Sequence, residues 1–226
     1  MCGRYTLRRI NLIRAALDAM PTLPFEEFSE RARFNIAPSQ LIPVVRINSK
    51  GDRVLRLARW GFIPYWAKSL PKLQPINARA ETLSSGGLFR AAFQRRRCLI
   101  PADGFYEWKA GETRKKQPHF FHYKDDRPFA FAGLWERWQP APDAQPLETC
   151  TIITTPPNDL VKPIHNRMPA IVQPHDYAKW LDPNTPAQTV RDLLRPCPIE
   201  DWEAFAVGTR VNRATEDGPD LLDPCE

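Results

Sequence analysis

The stretch Arg97-Cys-Leu-Ile-Pro-Ala-Asp-Gly-Phe-Tyr-Glu-Trp108 decides how the middle of this chain folds. Its two apolar runs, residues 97–102 and 105–109, predict successive β-strands. Glu107 is a carboxylic acid inside the second run, with an aromatic residue on either side. We therefore expect burial to raise the pKa of Glu107 into the range of a general acid or base.

Short elements continue on both sides of this stretch. Further strands are predicted at residues 41–47, 53–60, 118–123, 128–135, 149–155 and 203–207, with a hairpin turn at 48–52. Helical spacing is found at residues 11–20, 175–181 and 186–194. Asn11 is the predicted N-cap of the first helix, Thr185 caps the last, and Pro186 takes its first helical position.

The order of these elements predicts an α+β fold. It is not a regular βαβα alternation, which argues against a doubly wound parallel sheet. The 24 prolines of the 226-residue chain divide it into short pieces, as expected of loops around a curved sheet. We predict one domain, residues 2–211, built on a mainly antiparallel, barrel-like sheet with a few flanking helices. Residues 212–226 are predicted to form an acidic, partly disordered surface tail.

Composition limits the class of protein. Hydrophobic residues make up 42% of the chain, but no window approaches 18 uninterrupted apolar residues and no signal-peptide core follows the N-terminus. We expect a cytoplasmic protein without a membrane partner. Cysteines at 2, 98, 150, 197 and 225 are odd in number and form no C-x-x-C pair, which argues against a disulfide framework and a cysteine-ligated zinc. No metal or cofactor is expected.

The formal net charge of +6 favours a polyanionic partner. The positive charges are clustered at Arg4, Arg8 and Arg9, at residues 95–97 and at residues 114–116. The last cluster is interpreted as a solvated turn. The arginines near the N-terminus lie close to Cys2 in sequence, where they would attract an anionic substrate.

Cys2 offers a reaction that an internal cysteine lacks. Removal of Met1 would place an α-amine and a thiol on one residue, and this 1,2-aminothiol condenses with an aldehyde to an imine and then a five-membered thiazolidine. Both groups are expected to titrate near neutrality, the amine at about 7.7–8.0 and the thiol near 8.5. Taken alone, Cys2 is equally compatible with an exposed, frayed terminus.

Two further polar segments supply groups that aldehyde capture needs. Asn77 can hold the α-amine by hydrogen bonds, and His165 titrates near neutrality and can move a proton to a sugar oxygen. Arg79 and Arg167 could hold phosphates on either side. Each residue also has a structural interpretation: Asn77 as a turn cap, His165 as a satisfied structural histidine, and Glu107 as the partner of a surface arginine.

The four motifs together resemble the SRAP family (SOS response-associated peptidase). They are Met-Cys-Gly-Arg-Tyr at 1–5, Asn-Ala-Arg-Ala-Glu-Thr at 77–82, the quoted stretch at 97–108, and His-x-Arg-Met-Pro from position 165. The resemblance runs from Cys2 to about residue 211. It implies a monomeric abasic-site processing protein, nucleoid-associated if bacterial, that binds single-stranded DNA and links covalently to abasic sites.

The resemblance also implies roles for individual residues. Cys2 would be the nucleophile after removal of Met1, a cleavage that the protein itself could perform. Asn77, Glu107 and His165 would be its catalytic partners. Four residues, Arg4, Trp66, Arg79 and Arg167, would contact DNA. Associated lyase activity and autocatalytic peptidase activity are expected.

Two other functions remain open from the residues. An N-terminal-nucleophile hydrolase would use Cys2 to attack an amide, with its own amine as base. A non-catalytic nucleic-acid-binding module would account for the charge and leave Cys2, Glu107 and His165 without a role.

Overall fold

A closed five-stranded β-barrel forms the centre of the molecule in the computed structural model, which describes residues 2–9, 20–21, 31–85, 87–111 and 116–225. The strands are β1 (Arg4–Leu7), β2 (Met20–Pro21), β3 (Arg33–Ile36), β4 (Leu41–Ile47), β5 (Arg53–Trp60), β6 (Asn77–Arg79), β7 (Arg97–Ala102), β8 (Gly104–Lys109), β9 (Gln117–Tyr123), β10 (Phe129–Trp138), β11 (Leu147–Thr155), β12 (Met168–Pro169), β13 (Ile171–Val172) and β14 (Trp202–Ala206). The α-helices within these residues are α1 (Arg90–Arg95), α2 (Tyr177–Leu181) and α3 (Ala187–Asp192). Short 3-10 helices cover Ala80–Thr82, Pro174–Asp176, Thr209–Asn212 and Pro219–Leu222.

The barrel closes because β11 pairs with strands on both of its sides. Antiparallel pairs join β5, β4, β7, β10 and β11 in that order, and a parallel pair between β11 and β5 completes the ring. Alternating apolar side chains fill the interior, with Trp60 and Phe131 among the fully buried ones. The ring of Tyr5 packs edge-on against both, at centroid distances of 5.6 and 5.7 Å.

A second antiparallel sheet covers the barrel and carries the N-terminal strand. Its order is β14-β9-β8-β1-β3. Phe105 on β8 stacks on Phe121 on β9, with ring centroids 4.9 Å apart, and meets Phe131 of the barrel edge-on. Burying aromatic rings of this size between two sheets is a main source of stability in such a core.

The fold class is confirmed, and so are the strands predicted at 41–47, 53–60 and 97–102. The other predicted strands are present with ends moved by one to three residues. Two helix starts are wrong: the helix predicted at 175–181 is a 3-10 turn before it becomes α2 at Tyr177, and the helix predicted at 186–194 begins at Ala187, with Pro186 as the N-cap in an extended conformation (ψ 139°). The Thr185 hydroxyl donates to Asp182 instead of capping the helix. Residues 11–19 of the helix predicted at 11–20 and residues 114–115 of the basic turn lie outside the described residues, whereas Met20, the last residue of the predicted helix, belongs to strand β2. Strands β1, β2, β3, β6, β12 and β13 and helix α1 were not predicted.

Residues after 211 lie against the second sheet. The side chain of Asp217 accepts hydrogen bonds from the backbone amides of Phe34 and Asn35, at 2.6 and 3.1 Å. The side-chain amide of Asn35 (Nδ2) in turn donates to the backbone carbonyls of Val211, Arg213 and Glu216. These contacts hold residues 211–217 against the second sheet, and the Cys225 amide donates to the carbonyl of Ala206 at the end of β14. The domain boundary at 211 and the partly disordered tail stay predictions.

None of the helices in the described part of the chain is long and apolar enough to cross a membrane.

Candidate active site

Cys2 lies two residues before the start of β1, at the end of the strand pair that also holds Glu107. Strand β1 runs antiparallel to β8, with Arg4 opposite Tyr106, so Cys2 and Glu107 both lie just beyond the last paired residues. Cys2 is fully buried, and its Sγ is 3.9 Å from the carbonyl oxygen of Arg4. Cys2 is therefore not a frayed terminus.

The environment of Cys2 opposes ionisation of its thiol. Burial raises the pKa of the Cys2 thiol well above its ordinary value, and the negative charge of Glu107 raises it further. The expectation that the thiol titrates near its ordinary value is thus wrong for the folded chain. Cys2 needs a base close by before it can react as a thiolate.

Glu107 has the properties predicted for it. The residue is 1% exposed, and burial raises the pKa of its carboxyl to about 7, with the positive charge of Lys116 opposing the shift. A carboxyl group with this pKa is partly protonated at neutral pH, and it can both give and take a proton there.

His165 lies on the turn that follows Val161, across from Glu107. Its Nδ1 is 3.9 Å from Glu107 Oε2. The same Nδ1 is 3.0 Å from the amide nitrogen of Arg167 and 3.1 Å from the Arg167 carbonyl oxygen. The tautomer with unprotonated Nδ1 accepts from the Arg167 amide, whereas the tautomer with protonated Nδ1 donates to the Arg167 carbonyl oxygen. Burial lowers the pKa of His165, and the Arg167 charge adds to this effect, so the neutral ring is favoured at neutral pH.

Asn77 is the first residue of β6 and carries an unused amide. It pairs with Ile152 in the parallel β6–β11 ladder. Both polar atoms of its side chain are buried, and neither has a hydrogen-bond partner among the described residues. An unsatisfied buried amide is costly, and it marks a place where a ligand group can be held.

Strand β11 brings the separate segments together. Thr154 pairs with Arg79 of β6 on one side and with Pro169 of β12 on the other. Segment 77–82 and segment 165–169 therefore meet across β11. Asn77 and His165 come from positions nearly 90 residues apart in the sequence.

The predicted DNA contacts fall into two groups. Trp66 is 61% exposed and Arg79 is also exposed. Arg4 instead donates to the carbonyls of Val211 and Asn212, at 2.7 and 3.2 Å. Arg167 forms a forked ion pair with Glu81. Trp66 and Arg79 are therefore open to a ligand, whereas Arg4 and Arg167 are engaged in contacts within the protein.

Sequence reasoning missed two acidic residues that hold the elements of the site, one beside His165 and the other at the far end of the β1–β8 pair. Glu81 pairs with Arg167, at 2.6 Å between Oε1 and Nη1. Asp103 is fully buried and accepts hydrogen bonds from the Thr6 hydroxyl and the Arg8 amide, which fixes β1 beside β8. Both residues lie in segments that the sequence analysis had singled out for their polar residues, and this is the signal that could have identified them. Across the described residues, no three His, Cys, Asp or Glu side chains form a group that could hold a metal ion.

Comparison with known proteins identifies the family of the chain. Residues 1–214 match the family model described as SOS response associated peptidase (SRAP). The protein named abasic site processing protein YoqW from Bacillus subtilis is 42% identical over 227 residues, covering 99% of each chain. Abasic site processing protein HMCES from Gallus gallus is 32% identical and matches 77% of this chain and 59% of its own.

A crystal structure of a protein from Bacteroides thetaiotaomicron covers both chains completely, with a TM-score of 0.88 at 24% identity, and shows the same fold. The family match spans all four motifs, from Cys2 to Arg167. The chain belongs to the SRAP family, whose name is SOS response associated peptidase.

Proposed function

We propose that this chain processes abasic sites in single-stranded DNA by forming a covalent thiazolidine link through Cys2 after Met1 is removed. The observation that carries the proposal is the pair of proton-transfer groups next to Cys2: Glu107, with a pKa of about 7, and His165, at 3.9 Å from it. The names of the relatives, abasic site processing proteins, support the substrate.

The first stage is self-processing. Hydrolysis of the bond between Met1 and Cys2 consumes one water and frees the α-amine of Cys2. This is the peptidase activity that we propose for the chain, and Glu107 is the nearby carboxyl that can activate the water. The product is the 1,2-aminothiol on which the later steps depend.

The second stage forms the imine. The neutral amine of Cys2 attacks the aldehyde carbon of the ring-opened abasic sugar and gives a carbinolamine. Glu107 in its protonated form then donates its proton to the carbinolamine hydroxyl, and water leaves as the carbon–nitrogen double bond forms. Because the pKa of Glu107 is about 7, a useful fraction is protonated at neutral pH.

The third stage closes the ring. Glu107, now a carboxylate, accepts the proton of the Cys2 thiol, which compensates for the raised pKa of that thiol. The sulfur attacks the carbon of the protonated imine, a carbon–sulfur bond forms, and the electron pair of the C=N double bond returns to the nitrogen, which keeps its proton. The thiazolidine no longer contains the imine that would promote β-elimination of the DNA strand, so the strand is protected. Failure of this stage leaves the imine and gives the associated lyase activity.

Asn77 and His165 assist these stages in our proposal. Asn77 offers an unsatisfied buried amide that can hold the α-amine and the sugar oxygen. His165 has a low pKa and two contacts on Nδ1 that suit different tautomers, so it can pass a proton to the sugar oxygen as the ring opens.

Single-stranded DNA fits the exposed residues around the site. Trp66, which is 61% exposed, offers a surface on which an unpaired base can stack, and Arg79 offers a charge for the backbone. Arg4 and Arg167 remain predicted contacts on the same surface. We propose that the protein works as a monomer and selects its substrate by the aldehyde and not by base sequence.

The test uses protein whose loss of Met1 is verified by intact mass. It is incubated with single-stranded DNA containing one abasic site, and with an undamaged strand of the same sequence as control, and then separated on a denaturing gel. We expect a shifted, heat-stable band with the abasic strand alone. No shifted band from correctly processed protein would contradict the proposal; cleavage of a peptide substrate in its place would favour the hydrolase.

A further inference from the structure

The ion pair between Glu81 and Arg167 has an unusually complete geometry for a pair at the surface. Glu81 Oε1 accepts from Arg167 Nη1 at 2.6 Å, and Oε2 accepts from Nη2 at 3.0 Å. Arg167 Nη2 also donates to the Thr154 carbonyl at 2.6 Å. This fork fixes the plane of the guanidinium group as well as its position. The side chain of Glu81 is 48% exposed and that of Arg167 is 13% exposed.

The same arginine contacts His165 through its backbone. The amide nitrogen of Arg167 is 3.0 Å from His165 Nδ1. The turn from 165 to 167 is thus held at Arg167 by the contacts of the guanidinium group, and at His165 by the contact between the imidazole and the Arg167 amide. Any shift of Arg167 would move the amide that orients the His165 ring.

We propose that Glu81 is a positioning residue for His165 that acts through Arg167. The role of His165 in adduct formation rests on the function proposed above, whereas the coupling of Glu81 to His165 does not. Glu81 touches neither Cys2 nor the proposed substrate position in this account. It fixes Arg167, and it offsets the positive charge that Arg167 places beside the imidazole.

The sign of the electrostatic effect follows from the charges that surround His165. Arg167 and Lys116 are positive and disfavour protonation of the ring, and Glu107 is the acidic group at 3.9 Å. Removing the charge of Glu81 leaves Arg167 uncompensated, so protonation of His165 becomes less favourable. The pKa of His165 should therefore fall.

A competing interpretation makes Glu81 a placeholder for a DNA phosphate. A phosphate presents the same two-oxygen fork to a guanidinium group. In that case Glu81 would oppose DNA binding, and its removal would tighten the complex. The positioning role predicts unchanged DNA affinity, because the Thr154 carbonyl still keeps the guanidinium within the protein, although without Glu81 its plane is no longer fixed.

Proton NMR titration of the imidazole groups tests the proposal without DNA. The chain has four histidines, and His165→Gln identifies the signal of His165. Glu81→Gln should lower the pKa of His165 by about 0.5 pH unit, while Glu81→Asp, which keeps the charge, should stay near the parent value. The matched control is Glu148→Gln, because Glu148 forms a similar fork with Arg46, at 2.7 and 3.3 Å, on the barrel.

The expected result is a lower pKa in Glu81→Gln and no change in Glu148→Gln. An unchanged or raised pKa in Glu81→Gln would overturn the proposal. A second measurement compares adduct formation on abasic single-stranded DNA, where Glu81→Gln should be about 10-fold slower with unchanged affinity for the undamaged strand. Tighter binding with an unchanged rate would assign Glu81 to phosphate competition instead. If the parent chain forms no adduct, the proposed function fails, and the titration still decides the coupling.

Discussion

Burial, more than any neighbouring charge, sets the chemistry of Glu107. The residue is 1% exposed on the second sheet, and desolvation is the main cause of its pKa of about 7. A raised carboxyl pKa makes the group useful as an acid, but it also makes the folded state less stable once the solution pH passes the unfolded pKa. The same residue thus links catalysis to stability.

Glu107→Gln should make the protein more stable at pH 8 and change little at pH 4. Between the ordinary carboxyl pKa of 4.5 and the folded value of about 7, the unfolded chain has already lost a proton that the folded chain retains, so stability falls as pH rises. The variant removes this penalty, which is at most about 3 kcal/mol. Urea denaturation at both pH values measures it, with Glu148→Gln as control. A variant less stable than the parent at pH 8 would show that the ionised carboxylate is stabilised in the fold.

Residue-level chemistry was the part of the site best predicted from the sequence. The elevated pKa of Glu107 is confirmed, because aromatic neighbours in a strand-like run indicate burial. The raised pKa of the Cys2 thiol could not be foreseen, since burial of a residue at the chain terminus depends on packing by distant strands. Glu81 was also missed, because its partner Arg167 is 86 positions away.

At the scale of elements, strand β11 organises the site. It pairs in parallel with β6 and antiparallel with β12, and this brings the segments of Asn77 and His165 to the same end of β11. The long strands around it were predicted well, because seven or more residues give a clear apolar pattern. Strands β6 and β12 have three and two residues, too few for a pattern, and they exist only because β11 supplies their hydrogen bonds.

Gly104→Ala should destabilise the fold by about 1–3 kcal/mol. A Cβ atom at this position would lie 2.2 Å from the Phe120 ring of β9 and 2.9 Å from the Thr6 hydroxyl of β1, so the Phe120 ring would have to shift and β1 and β8 would have to separate. Gly208→Ala is the matched control, because nothing lies within 4 Å of its added Cβ. Thermal unfolding of both variants measures the difference. Equal melting temperatures would mean that the two strands can part at no cost.

At the scale of the whole molecule, the net charge of +6 and its distribution support the DNA partner. Arg79 lies exposed beside the site, whereas Lys50 lies in the hairpin turn at the other end of β5. Trp60, at the near end of β5, donates to the carbonyl of Ile76 next to Asn77. Arg79→Ala and Lys50→Ala each remove one positive charge, so comparing them separates the effect of where the charge lies from the effect of the total charge.

Arg79→Ala should weaken binding to single-stranded DNA and reduce its salt dependence. Loss of one phosphate contact should lower the slope of log affinity against log salt by about 0.7. Lys50→Ala removes the same charge away from the site and should leave the slope unchanged. Fluorescence anisotropy with an undamaged labelled strand at several salt concentrations provides the measurement. Equal slopes for the parent and Arg79→Ala would show that the DNA path does not include Arg79.

The most direct test of the whole account is the reaction of Cys2→Ala with abasic single-stranded DNA, using protein shown by intact mass to lack Met1. The variant keeps the terminal amine and loses the thiol, so the imine forms but the ring cannot close. We expect the heat-stable adduct to disappear, strand scission to rise, and borohydride to trap a covalent complex. The same heat-stable adduct from Cys2→Ala as from the parent would contradict the account and assign the link to another nucleophile, such as a lysine.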